Sequence, residues 1–89
     1  MSEIVQLRDR GLEWVDTGAE IIALDADRDT YMAGNETAKA LWPLLVQGAT
    51  LDALVGQLVA DYAVDADVAR VDVDAFVAAL GQKGLLVER

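Results

Sequence analysis

Thr30-Tyr31-Met32-Ala33-Gly34-Asn35-Glu36-Thr37-Ala38 is the stretch where the chain changes how it spaces its apolar residues. Up to Gly34 they come in short β-prone clusters parted by Gly and Asp, the pattern of antiparallel hairpins rather than of parallel crossovers. From Asn35 onward the spacing is helical. Asn35 is a good N-cap, and Glu36 puts a negative charge in the first turn, where it suits the helix dipole. The boundary therefore divides a small sheet from a set of helices.

Upstream, the clusters predict strands at 12–16, 19–25 and 29–33. The run at 3–7 reads as a flexible lead-in or a short extra strand. Downstream, a first helix carries Ala38, Leu41, Trp42, Leu45 and Val46, should bend locally at Pro43, and stops at Gly48. Thr50 caps a second helix whose Leu51, Leu54, Val55, Leu58, Val59 and Tyr62 form one amphipathic face. Asp65 or Asp67 caps a third, running to about Lys83 with Gly84 as its stop. Leu85-Leu86-Val87 should then tuck back onto the core. With no repeat or linker, residues 1–89 read as one α+β domain, a three-stranded antiparallel sheet followed by three helices. That is also the parts list of a winged helix-turn-helix.

Composition narrows the function. Apolar residues make up 54% of the 89, enough for one modest core. The formal charge of −9 repels phosphate backbones, which argues against a winged-helix regulator of DNA. The chain has no Cys and no His, and its single Ser is Ser2. The usual general base, thiolate ligands and a usable nucleophile are thus missing, so we expect no catalytic residues, metal site or cofactor. No apolar run approaches a membrane span, and Met1-Ser2-Glu3 does not open an export signal, so a cytoplasmic location is expected. Asp25, Asp27 and Asp29 alternate like the start of a calcium loop but lack its later glutamate and central glycine, and read as an acidic hairpin turn. Trp14 and Trp42 read as core fillers.

Two surfaces remain as candidates. On the third helix, Ala69, Val73, Phe76, Val77 and Leu80 share the core face, while Asp67, Arg70, Asp74 and Gly81 face water, with Arg70 and Asp74 a possible pair. Between them runs a stripe of Val68, Val71, Asp72, Ala75 and Ala79. It either packs against the sheet or first helix, or floors a shallow groove for another chain. In a simple meander the 29–33 strand lies at an edge, and only Arg28 and Asp29 guard its entry. Thr30, Tyr31, Met32 and Ala33 are uncharged and β-competent, the makings of peptide capture by β-augmentation. One of Tyr31 and Met32 should face the core. The same edge could pair with a second copy to give a homodimer.

Ile22-Ala23-Leu24-Asp25, then Tyr31 to Ala38, then Leu41-Trp42-Pro43-Leu44-Leu45 together resemble the PqqD-like family of RiPP recognition elements. Gly48 to Val55, Tyr62 to Asp65, Asp72-Val73 with Phe76, and Gly84-Leu85-Leu86 extend the resemblance over about residues 12 to 87. It implies a non-catalytic protein that binds the leader of a ribosomally made precursor peptide and presents it to modifying enzymes. The leader would add as a strand beside Arg28, Asp29, Thr30, Tyr31, Met32 and Ala33, and lie against Val68, Val71, Asp72 and Ala75. The short form with Asn-Glu-Thr looks most like lasso-peptide leader-recognition proteins, which work with a leader peptidase and a macrolactam synthetase and whose leaders carry Tyr, Pro and Leu anchors. The alternatives are a PqqD-type chaperone for a radical enzyme and an acidic winged-helix interaction subunit. Gly34 replaces the family's usual Leu, which removes an apolar side chain and adds backbone freedom, and Met32 replaces its second aromatic.

Overall fold

The structure, a computed structural model, describes residues 4–27 and 29–87. Its elements in order are β1 (Ile4–Val5), β2 (Leu12–Asp16), β3 (Ile21–Asp25), β4 (Thr30–Gly34), α1 (Glu36–Gln47), β5 (Ala49–Thr50), α2 (Leu51–Tyr62) and α3 (Ala66–Gln82). This is the α+β order expected. The antiparallel sheet runs β2-β3-β4. β3 begins at Ile21 rather than residue 19 because Thr17 closes the turn onto the Glu20 carbonyl, with Gly18 at φ 94°. β4 starts and ends one residue later than expected: Asp29, at φ 52°, belongs to the turn, and Gly34 pairs with Ile21.

The N-terminal run forms a strand, but not in that sheet. β1 pairs antiparallel with β5, a two-residue strand that the sequence did not announce. Leu7 then bridges to Leu86, and Val87 N–H donates to the Gln6 carbonyl, so both ends of the described chain fasten to each other. Arg8 completes the clasp. Its Nε donates to the Gly84 carbonyl (2.7 Å) and its guanidinium pairs with the buried carboxylate of Asp25. Asp25 also accepts from Asp27 N–H, so this carboxylate fixes the β3–β4 turn, the acidic hairpin turn expected there.

Caps explain the helix limits. Asn35 Oδ1 accepts from Thr37 N–H, and Thr50 Oγ accepts from Ala53 N–H, as their residue types predict. Asp65 stands at the N-cap of α3, but its side chain makes no cap bond. α1 continues through Pro43 to Gln47, and Gly48 at φ 93° ends it. Trp42, Leu41, Leu45, Leu54, Val73 and Leu80 form the centre of the core, with Ile21 and Ala23 from the inner face of the sheet. Trp42 is the filler expected. Trp14 is not: it is 44% exposed and meets Trp42 edge-on at 6.0 Å. No helix among the described residues is long and apolar enough to cross a membrane.

Candidate functional site

The expected site has two parts, and the first is β4. Its neighbour on one side is β3; among the described residues its other edge is unpaired. The register fixes which backbone groups face outward. Ala26 N–H donates to the Gly11 carbonyl, and Thr17 N–H to that of Glu20. In an antiparallel ladder bonded pairs alternate, so Ile22 and Leu24 turn their polar groups toward β2, and Ile21, Ala23 and Asp25 turn theirs toward β4. On β4 the partners of those three are Gly34, Met32 and Thr30. Tyr31 and Ala33 are left to point their N–H and C=O at the free edge.

Side chains alternate with the same period. Met32 is half-buried against the core, and Tyr31 is 63% exposed on the sheet's outer face. Asp29 sits in the turn and is exposed. Arg28 lies outside the described residues.

The second part is the stripe on α3. Ala69, Val73 and Leu80 are buried, and Phe76 and Val77 half-buried, as the core face should be. The stripe beside them is uncovered: Val68 is 51% and Val71 67% exposed, and Asp72, Ala75 and Ala79 are exposed too. Neither the sheet nor α1 packs over it, which settles the choice in favour of an open surface. On the water face, Arg70 pairs with Asp52 of α2 (2.6 Å) rather than with Asp74. A cross-helix carboxylate within reach outcompetes the partner one turn along.

One cavity lies beside the α3 stripe. Of about 150 Å³, it is lined by Glu36, Thr37, Leu58, Tyr62, Val64 and Asp72. It thus joins Asp72 on α3 to the start of α1, which follows directly from the end of β4. Tyr62 hydroxyl donates to the Glu36 carbonyl (3.0 Å), tying the end of α2 to the start of α1. Leu58 and Tyr62 share the apolar face of α2, a pattern that carries no sign of a site; only the helix packing brings them to Asp72.

Of the two consequences expected of Gly34, the missing side chain matters and the backbone freedom does not. Its φ is not positive, so it uses no special backbone freedom. A Cβ there would stand 2.4 Å from Cβ of Ala38, so it is the missing side chain that lets β4 run into α1.

Comparison with known proteins bears on this arrangement. The sequence profile of the family described as coenzyme PQQ synthesis protein D (PqqD) matches residues 20–86. No curated protein matches the chain in sequence. Among solved structures it is similar to TbiB1 in complex with the TbiA(beta) leader peptide, at 25% identity and a TM-score of 0.84, over 94% of this chain and 96% of that one. It is also similar in fold to a lasso peptide synthetase B1 complexed with its leader peptide, at 24% identity and a TM-score of 0.80, over 94% and 98%.

Proposed function

The chain belongs to the PqqD family, and on that premise we propose that it binds the leader segment of a ribosomally synthesised precursor peptide and delivers it to modifying enzymes. The leader adds as a strand to β4 and rests on α3. The observation that carries this reading is the pairing of a free strand edge, open at Tyr31 and Ala33, with an uncovered apolar stripe on α3. Backbone bonds along such an edge supply affinity, and the stripe supplies selection. Asp29 to Ala33 with Arg28 form the strand side; Val68, Val71, Asp72 and Ala75 form the helix side. The likeness to TbiB1 bound to a leader supports the same reading.

The chain itself performs no catalytic step in this proposal. It works in the cytoplasm, where ribosomal precursors are made, beside a leader peptidase and a macrolactam synthetase. Delivery requires a second surface that stays free while the leader is bound. We assign that role to the outer face of the sheet, with Val15 (54% exposed) and Leu24 (42%). A second copy competes for the β4 edge, but −9 on each chain opposes self-pairing.

The test uses the labelled leader of a short precursor encoded beside this gene, titrated by fluorescence polarisation. We expect nanomolar to micromolar binding. Val71→Asp or Ala75→Lys should weaken it by roughly 1–3 kcal/mol, the cost of burying an unpaired charge. Unchanged affinity in both variants, with the fold intact by circular dichroism, would remove α3 from the site. A second reading, a PqqD-type chaperone for a radical enzyme, is favoured by the family description itself. A radical enzyme gene in place of a peptidase and cyclase beside this one would select it.

A further inference from the structure

The 150 Å³ cavity between the start of α1, the end of α2 and Asp72 of α3 has a chemistry of its own. Its walls are Leu58, which is buried, and Val64, which is half-buried; its rim carries Glu36 and Asp72, both exposed, beside the Tyr62 hydroxyl. Apolar inside and acidic at the mouth, it is built for a side chain of mixed character.

The sign of the potential there follows from what is and is not nearby. Among the described residues neither Glu36 nor Asp72 has an ion-pair partner: Arg8 is taken by Asp25 and Asp27, and Arg70 by Asp52. Lys39 donates to the Gly18 carbonyl, away from the cavity. Two helix ends also meet at this point. The start of α1 contributes positive dipole, part of it met by Asn35; the end of α2 contributes negative dipole, with no basic residue in its last turn. These roughly offset each other, so the carboxylates decide. In the same direction, the Tyr62 phenol is held above its ordinary pKa by partial burial and then by the charges of Glu36 and Asp61.

An aliphatic anchor would fill the cavity but leave two carboxylates facing apolar surface, and an acidic one would be repelled. Lys and Arg have an apolar stem ending in a cation and satisfy both zones. We propose that this cavity takes a lysine or arginine side chain of the bound leader, so that the protein selects leaders with a basic residue next to the segment paired with β4. This deepens the leader-binding reading and rests on it.

The experiment pans a display library of random 12-residue peptides on the purified full-length protein. Enriched peptides should share a β-prone core and one fixed Lys or Arg position. A selected peptide is then compared with its Lys→norleucine or Arg→norleucine form, which keeps an apolar stem and loses the charge. On the native protein the neutral form should bind about fivefold more weakly, the scale of one or two exposed charge pairs. On Glu36→Gln/Asp72→Asn the charged and neutral forms should bind alike. Equal binding of the charged and neutral forms to the native protein overturns the cationic pocket and leaves leader binding standing. So does enrichment of extended peptides without a basic position. A library that yields no binders overturns both.

Discussion

An alanine at position 34 would put its methyl carbon 2.4 Å from Cβ of Ala38, which is itself fully buried. Neither atom belongs to a flexible side chain, so relief requires moving β4 away from α1. Gly34→Ala should therefore cost about 1–3 kcal/mol, the usual range for overpacking, read as a lower urea midpoint. An unchanged midpoint would mean that the two elements separate at no cost. Tyr62 offers a test of electrostatics at the same scale. Partial burial, then Glu36 and Asp61, hold its phenol above the ordinary 10.0, so the folded chain keeps this proton more tightly than the unfolded one. The associated stability is intact below pH 10 and is lost as pH rises through the folded value. In a Tyr31→Phe background only Tyr62 titrates. Its tyrosinate absorbance should show a midpoint above 10, and Glu36→Gln should bring that midpoint down. A midpoint at 10 in the parent would remove the negative field at this corner.

At the scale of elements, β4 has two unlike edges, and proline can tell them apart. Ala33 N–H faces the free edge, whereas Met32 N–H belongs to the ladder with β3. Proline is tolerated on an edge strand where its missing donor would face outward. Ala33→Pro should keep the fold and weaken leader binding about tenfold, because a docked strand loses one backbone bond and meets the ring. Met32→Pro should instead lower thermal stability. Were Ala33→Pro to bind the leader as well as the parent, strand addition at β4 would be the wrong geometry. Thr30 also points its N–H at β3. What was legible in advance follows the range of the forces involved. Asn35 and Thr50 cap their own helices, so their roles could be read locally. The β1–β5 pairing joins residues far apart with two positions each and carries no local pattern. Arg70 met Asp52 on another helix instead of Asp74 on its own, and Trp14 stayed half-exposed because α1 covers only its edge with Trp42.

At the scale of the whole molecule, the proposed delivery of a peptide depends on a second surface independent of the leader site. A leader paired with β4 and lying on α3, as proposed, would occupy the β4 edge and the exposed stripe of α3. The outer side of the sheet, where Val15 and Leu24 stand exposed on β2 and β3, is left open to an enzyme. Neither residue is part of the proposed leader site, and a lysine at either would stand in water in the free protein, so stability should change by less than about 0.5 kcal/mol. Val15→Lys/Leu24→Lys should thus bind the leader with parental affinity. Placed against an apolar enzyme surface, the same two charges would be buried without partners, at a cost of about 1–3 kcal/mol each. The expected result is normal leader binding in the polarisation assay, together with severalfold slower removal of the leader by the proposed peptidase partner. The two readouts must part. Loss of both would mean that the outer face supports the leader site itself, and loss of neither would place the enzyme elsewhere on the molecule.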